Sequence, residues 1–268
     1  MRIDYVPLLR IQREIQSIPR GQPPDFNGLK RFRQYLRTIV SEDGNGLALP
    51  PLVAANPMAK EHVTELLDAL LAMDADGIAA RAAADAACRL DGAGEFKAAL
   101  VVVDDVKAGW TNRGACEFEF RFRSVKSGHL PRWSKCAWIT GVLWSSEPAD
   151  DQKVREAILT AIYRTHYVQM HGPARTLGDM LAQEGWALAR AGCRGPTLDS
   201  EDLAYTREVL KPHLGSCEMS TCLACLFGDA AARDLGMNPQ GLSPWAGLAL
   251  ALNEAIDFSQ SGSIGAED

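Results

Sequence analysis

The sequence predicts a mostly helical α+β fold with a small antiparallel sheet of three or more strands in the middle of the chain. Hydrophobic residues recur at helical spacing in the first and last thirds, whereas apolar and alternating runs fill the middle third. Short links that contain Gly or Pro separate these segments. No Pro- or Ser-rich hinge divides the 268 residues, so we expect a single α+β domain over 1–268.

The first part of that domain is predicted to be a basic helical arm. Residues 1–40 carry eight Lys and Arg against three Asp and Glu, although the whole chain has a net charge of −6. The arm exposes basic helix faces to water, docks on the acidic remainder of the chain or steers an acidic partner. After the arm (1–45) we expect a helical segment (46–92), the sheet (95–146), a second helical segment (148–258) and a frayed tail (259–268).

The helical segment after the arm has a clear start signal. Asn56 can cap a helix and Pro57 suits the first helical position. The helical pattern continues to about Leu90, and Gly77 is expected to break or kink it. The sequence therefore predicts two helices here.

The middle of the chain is predicted to form an antiparallel meander. "EFKAALVVVDD" and "KCAWITGVLWSS" are apolar runs of strand length, and "CEFEFRFRSV" between them alternates apolar and charged residues. Alternation along a strand places the two kinds of residue on opposite faces of a sheet. We therefore expect three buried phenylalanines opposite four solvated charges: Phe118, Phe120 and Phe122 against Glu117, Glu119, Arg121 and Arg123.

The last third of the chain shows several helix starts. Thr176 followed by Asp179 resembles a capping box. Asp199 or Ser200 can cap the next helix, and Ser243 can cap the last one. This part of the chain is therefore predicted to be helical to near its end.

Three cysteines lie close together in "CEMSTCLACLFGDAA". Cys217, Cys222 and Cys225 have the spacing that opens a plant-type ferredoxin motif, but no fourth Cys follows. The stretch 221–235 instead reads as one helix that buries its thiols as small hydrophobic groups. We therefore predict no metal; if the chain does hold one, these three thiols are its ligands, and a thiol or metal sensor is the corresponding alternative function.

Composition limits the partners and the compartment. A net charge of −6 makes nucleic acid an unlikely partner. The sequence has no apolar run of membrane-spanning length and no secretory leader, so neither a membrane nor export is predicted. Seven cysteines are an odd number and read as reduced thiols, which predicts a soluble cytoplasmic protein. No nucleotide-binding motif is present, and no cofactor is predicted.

The best candidate site lies at the end of the first apolar run, in the loop 104–113. Asp104 and Asp105 are candidate catalytic residues, either of which would serve as a base or a metal ligand, and Trp110, Asn112 and Arg113 are candidate ligand-binding groups. Such a cluster could hold a small polar ligand. The favoured alternative is a hairpin turn that the Asp side chains cap and with which the Arg pairs, because Asp, Asn and Gly are ordinary turn residues.

A second group of polar residues lies in segment 163–175. His166 and His171 are candidate acid–base groups, and Arg164 and Arg175 are candidate anion-binding groups. A separation of five residues does not bring two histidines onto one helix face, so they do not form a metal pair. The structural alternatives are a core histidine at 166 and a helix-end histidine at 171.

Three functions remain in view. The first is an enzyme or binding protein for a small polar or anionic molecule, with a pocket between loop 104–113 and segment 163–175. The second is a protein–protein interaction or structural module, with a homodimer or other homo-oligomer as its form. The third is the thiol or metal sensor. The sequence does not decide whether the protein is an enzyme.

Overall fold

The computed structural model describes residues 1–18, 28–106, 111–122 and 137–263. Trp110, Arg123 and the last five residues of the predicted tail lie outside these ranges. The chain packs into two compact units. Unit 1 comprises Met1–Thr111 with Val125–Ile162, and unit 2 comprises Asn112–Ser124 with Tyr163–Asp268. A single domain over the whole chain stays a prediction.

Most of the described residues are helical. In chain order the elements are β1 (Arg2–Tyr5), α1 (Leu9–Ser17), α2 (Gly28–Ile39), a 3-10 turn (Pro50–Ala54), α3 (Glu61–Ala72), α4 (Ala75–Arg89), β2 (Glu95–Val103), α5 (Arg113–Phe122), β3 (Ala137–Trp144), α6 (Asp151–His171), α7 (Leu177–Arg190), α8 (Ser200–Leu210), a second 3-10 turn (Lys211–His213), α9 (Met219–Phe227), α10 (Asp229–Asp234) and α11 (Ala246–Ser263).

The sheet of unit 1 is parallel, so the predicted antiparallel sheet is wrong. Its strand order is β1-β2-β3, with Arg2 opposite Glu95 and Phe96 opposite Ala137. The six residues 98–103 of β2 are fully buried. A strand that is apolar throughout is typical of a parallel sheet covered on both faces, whereas an antiparallel strand with one wet face alternates.

The segment that was predicted to be the alternating strand is the helix α5, so that prediction is also wrong. Its residues satisfy a helical pattern as well as an alternating one. Phe118 and Phe122 contact each other four residues apart, with ring centroids 5.2 Å apart. Glu117 and Arg121 form an ion pair of 2.7 Å at the same spacing, and Glu117 is buried rather than solvated. Pairs at this spacing stabilise a helix.

The helical segment of unit 1 divides into α3 and α4, which confirms two helices but not their bounds. The break lies at Asp74, which has a left-handed φ of 58°, and Gly77 lies inside α4. Lys60, not Asn56, is at the N-cap position of α3. The Asn56 side-chain oxygen instead accepts a hydrogen bond from the Met58 N–H at 2.9 Å. Its amide nitrogen donates to Asp104.

The core of unit 2 is built around α9. Nearly every residue from Cys222 to Phe227 is fully buried, against α7, α8 and α11. The Thr176–Asp179 capping box of α7 and the Asp199 cap of α8 are confirmed. The predicted helix 221–235 is two helices, because the chain turns at Gly228 with a φ of 82°.

Candidate functional site

Two pairs of polar residues meet at the carboxyl edge of the sheet in unit 1. Asp104 and Asp105 directly follow β2, and Ser145 and Ser146 directly follow β3. The strands are parallel and paired in register, so both pairs leave the sheet at the same edge. In open parallel sheets this edge is where ligands bind.

Asp104 is the centre of the cluster. It is 3% exposed, and three side chains lie within hydrogen-bond distance of its carboxylate. His62 Nε2 lies 2.8 Å from Oδ1, the Asn56 amide donates to Oδ2 at 2.8 Å, and the Ser145 hydroxyl lies 3.2 Å from Oδ1. Burial by itself raises the pKa of this carboxyl, but the hydrogen bonds from His62 and Asn56 outweigh it and lower the pKa. Asp104 is therefore ionised at neutral pH.

The contact with Asp104 determines which nitrogen of the His62 ring carries the hydrogen. An ionised carboxylate can only accept hydrogen bonds, so the hydrogen between the two groups belongs to His62 Nε2. In the neutral ring the other nitrogen, Nδ1, is then the acceptor. His62 lies in the first turn of α3 and its side chain is 30% exposed. An imidazole that a buried carboxylate orients in this way has the arrangement of a general base.

Asp105 ties the ends of the two strands together. Its carboxylate accepts hydrogen bonds from the Ser146 N–H at 2.9 Å and the Ser146 hydroxyl at 2.7 Å. The Ser145 oxygen accepts from the Asp105 N–H and lies 3.2 Å from the carboxylates of both Asp104 and Asp105. One hydroxyl hydrogen can serve only one of these carboxylates at a time. Asp105 thus has a structural role, and Ser145 lies between two acids.

The two predicted halves of the site belong to different units. Asp104 and Asp105 are in unit 1, whereas segment 163–175 is in unit 2 together with Asn112 and Arg113. Trp110 lies outside the described residues. The pocket that was predicted to combine loop 104–113 with segment 163–175 stays a prediction.

Asn112 and Arg113 start the helix α5. The Asn112 side chain accepts a hydrogen bond from the Ala115 N–H at 3.0 Å, which caps the helix. The Arg113 guanidinium lies 5.1 Å from the centre of the Trp245 ring, and its Nε is 3.8 Å from Glu117. Both residues therefore have structural contacts within unit 2.

Arg164 belongs to a buried ionic cluster in unit 2, which also contains Glu117, Arg121 and Glu184. The Glu184 carboxylate is fully buried, and Arg164 binds both of its oxygens at 2.6 and 2.9 Å. Arg121 binds Glu184 as well and reaches Glu117 at 2.7 Å. Burial would raise the pKa of Glu184, but the two guanidiniums lower it to about 2. This cluster holds α5, α6 and α7 together.

The remaining predicted residues of unit 2 lie around the end of α6. His166 is buried and stacks on Trp186, with ring centroids 6.0 Å apart. His171 is exposed at the last position of α6, where its ring contacts Tyr167 at 4.4 Å. Arg175 is exposed, and its backbone N–H donates to the Asp179 carboxylate of the capping box at 3.0 Å. These placements match the structural alternatives of a core histidine and a helix-end histidine.

The cysteine cluster lies at the start of α9. Cys222 and Cys225 are fully buried, whereas Cys217 is exposed. Burial raises the pKa of Cys222 to about 11 and that of Cys225 to about 12. Among the residues that the structure describes, no group of three or more His, Cys, Asp or Glu side chains is arranged to hold a metal ion.

Sequence reasoning missed His62, Ser145 and Ser146, and it gave Asn56 the role of a helix cap. "VLWSS" does contain a usable signal, since its two serines end an apolar strand as Asp104 and Asp105 do. His62 has no such signal, because it reaches Asp104 across 42 residues of sequence.

Comparisons with known proteins give one similarity. A stretch of 104 residues is 32% identical to the uncharacterised protein YjfC of Bacillus subtilis (strain 168). The matching stretch covers 35% of this chain and 35% of YjfC. The chain thus spans about a third of the length of the curated relative it matches. No family model and no solved structure matches. In the described parts of the chain, none of the helices has both the length and the apolar character needed to cross a bilayer.

Proposed function

We propose that unit 1 is an enzyme unit that binds a small polar molecule at the carboxyl edge of its sheet, with His62 as the group that accepts or returns a proton. The observation that carries this proposal is the 2.8 Å contact between His62 Nε2 and the buried carboxylate of Asp104. A buried ionised carboxylate is a costly way to stabilise a fold, since apolar side chains of similar size do as well. A carboxylate that orients an imidazole is an arrangement that proton-transfer sites use.

The negative charge of the site limits the chemical class of its ligand. Asp104 and Asp105 are acids, and Ser145 and Ser146 add hydroxyl groups at the same edge. Anions are repelled by such a surface, whereas neutral hydroxyl groups and amines can be hydrogen-bonded by it. The ligand of unit 1 is therefore a neutral or positively charged polar molecule, a narrower class than the polar or anionic molecule predicted from the sequence.

The test uses small hydroxyl-bearing probes and the full chain. Ribose, glycerol and myo-inositol are titrated into labelled protein, with ribose 5-phosphate as the anionic counterpart, while NMR signals of His62 and Ser146 are followed. A neutral probe is expected to shift these signals, and Asp104→Asn is expected to abolish the shift. His171→Ala is the matched control, because His171 is an exposed histidine in unit 2.

The proton-transfer part of the proposal has its own measurement. For a probe that the protein converts, His62→Gln is expected to lower kcat by about a hundredfold or more, with binding retained, as removal of a general base does. If ribose 5-phosphate shifts the NMR signals and none of the neutral probes does, the proposed ligand class is contradicted. If the neutral probes shift the signals of Asp104→Asn as fully as those of the wild type, the proposed site is contradicted.

Reduced thiols support a cytoplasmic location for this activity. Cys88 and Cys217 are exposed free thiols, and Cys222 and Cys225 are buried free thiols. Exposed free cysteines are typical of proteins that work in a reducing compartment.

A second candidate is an interaction module, which the surface of unit 2 favours. Phe258 on α11 is 82% exposed, and Tyr205 and Met219 are about half exposed. Phe, Tyr and Met are enriched in protein–protein interfaces. In this alternative unit 2 mediates a homodimer. Sedimentation at several concentrations tests it, since Phe258→Asp should then shift the protein to the monomer and a monomeric wild type would reject it.

The thiol sensor receives less support. A sensor needs a thiolate at neutral pH. The raised pKa values of Cys222 and Cys225 keep both thiols protonated there.

A further inference from the structure

Arg31 is an interior residue of unit 1, although it belongs to the basic segment at the start of the chain. It lies on α2, is 5% exposed and sends its guanidinium inward. It donates to the Ile18 carbonyl at 2.6 Å and to the Gln16 carbonyl at 2.6 Å. It also reaches the Gln16 side-chain oxygen at 3.1 Å and the Ala59 carbonyl at 3.5 Å. One planar fork thus joins α1, α2 and the loop before α3.

Gln16 carries this connection one step further. Its side chain is buried, and its oxygen is held by Arg31. That contact directs the Gln16 amide nitrogen to the Asn56 carbonyl, to which it donates at 2.6 Å. Arg31 and Gln16 therefore fix the loop 56–59 at both of its ends, through the carbonyls of Asn56 and Ala59.

The same loop sets the geometry of the pair His62–Asp104. Asn56 donates from its side chain to Asp104 at 2.8 Å, so its backbone position determines where one carboxylate oxygen is held. Ala59 lies three residues before His62, which is in the first turn of α3. The position of the loop therefore affects the positions of both the His62 ring and the Asp104 carboxylate.

We propose that Arg31 and Gln16 are positioning residues that hold His62 and Asp104 in contact through the loop 56–59. Their importance for activity rests on the proposed function, but their effect on the His62 ring is independent of any substrate. A lysine cannot replace Arg31, because one ammonium group lacks the planar fork that reaches several carbonyls at once.

The experiment follows the hydrogen on His62 Nε2 in full-length protein labelled with ¹⁵N-histidine. A hydrogen held by a buried carboxylate exchanges slowly with water. We expect Arg31→Lys to raise its exchange rate by about tenfold, as loss of a hydrogen bond of ordinary strength would. Arg33→Met is the matched control, because Arg33 lies on the same helix and is exposed.

Gln16→Glu separates positioning from folding. A glutamate keeps an acceptor for Arg31, so the anchor on α2 and the fold are retained, but it has no hydrogen to donate to the Asn56 carbonyl. Faster exchange in this folded variant and in Arg31→Lys, with the wild-type rate in Arg33→Met, supports the proposal. Wild-type rates in both Arg31→Lys and Gln16→Glu would overturn it.

Asp104→Asn distinguishes this proposal from the proposed function. If Asp104→Asn leaves the exchange of His62 Nε2 unchanged, the His62–Asp104 pair itself is absent in solution and the proposed function fails. If Asp104→Asn accelerates exchange and the Arg31 and Gln16 variants do not, the pair stands and only the positioning role of Arg31 and Gln16 is lost.

Discussion

The side chain of Gln12 pairs with the backbone of Val102 as a neighbouring strand would. Its amide nitrogen donates to the Val102 carbonyl at 2.7 Å, and its amide oxygen accepts from the Val102 N–H at 3.0 Å. The short strand β1 pairs with β2 only as far as Ala98. A residue of α1 thus makes the backbone hydrogen bonds of a missing neighbouring strand at the buried edge of β2. Val102, the residue that it pairs with, lies two positions before Asp104.

Gln12→Leu is therefore expected to destabilise the protein although leucine suits a buried position. The change leaves a buried N–H and a buried carbonyl of Val102 without their partner, at about 1–3 kcal/mol for each group. We expect a loss of roughly 2–6 kcal/mol in the free energy of unfolding, measured by urea denaturation. An unchanged denaturation midpoint would show that the Gln12–Val102 bonds contribute nothing.

The turn between α9 and α10 makes a second prediction. Gly228 has a φ of 82°, and a Cβ there would overlap the carbonyl of Ser243. Gly236 has a φ of 68° and open space around it. Gly236→Ala should cost about 1–2 kcal/mol, because only the left-handed backbone opposes it. Gly228→Ala should cost clearly more, since the overlap adds to that strain. Equal losses in urea denaturation would contradict this account.

Acid should weaken unit 2 through Glu184. Its pKa is lowered from 4.5 to about 2, so its ionised form stabilises the fold above pH 4.5. That contribution, of the order of 3 kcal/mol, is lost as the pH falls from 4.5 towards 2. Unfolding free energies measured across this range should show the loss in the wild type.

Glu184→Gln tests the cause of that acid dependence. Glutamine does not titrate, so the variant should lack this part of the pH dependence, and it should cost roughly 3–5 kcal/mol at neutral pH because two guanidiniums lose their carboxylate. Glu254→Gln is the control, since its ion pair with Arg207 is half exposed, and it should cost less than about 1 kcal/mol. Equal pH profiles for wild type and Glu184→Gln would disprove the assignment.

The thiols should divide into two classes in an alkylation experiment. Cys88 and Cys217 are exposed and should react with iodoacetamide in the native protein. Cys222 and Cys225 should react only in urea, because both are fully buried and their pKa values are raised to about 11 and 12. Peptide mass spectrometry reports each site, and rapid native labelling of Cys225 would contradict the buried α9.

Local signals in the sequence predicted several elements correctly. The Thr176–Asp179 box and the Asp199 cap act through residues three positions apart, so a short window contains the whole interaction. Asp104 and Asp105 were correctly placed at the end of an apolar strand, which is also a local feature.

The strand direction and the rest of the site depend on contacts that no short window contains. "EFEFRF" fits a strand by alternation and a helix by its pairs four residues apart, and the observed helix also has a cap in Asn112. A parallel sheet depends on pairing between Arg2 and Glu95 across most of unit 1. His62 and Asn56 join Asp104 by the same kind of long-range packing, so their residue types alone did not identify them.

The tautomer of the His62 ring is the most direct test of the proposed site. In wild-type protein at a pH where the ring is neutral, ¹⁵N NMR should place the hydrogen on Nε2 and leave Nδ1 as the acceptor, because Asp104 only accepts. In Asp104→Asn this preference should fall, because His62 and Asn56 donate to different carboxylate oxygens and asparagine keeps only one of the two. A wild-type ring with its hydrogen on Nδ1, or a preference that survives Asp104→Asn, would contradict the claim that Asp104 orients His62.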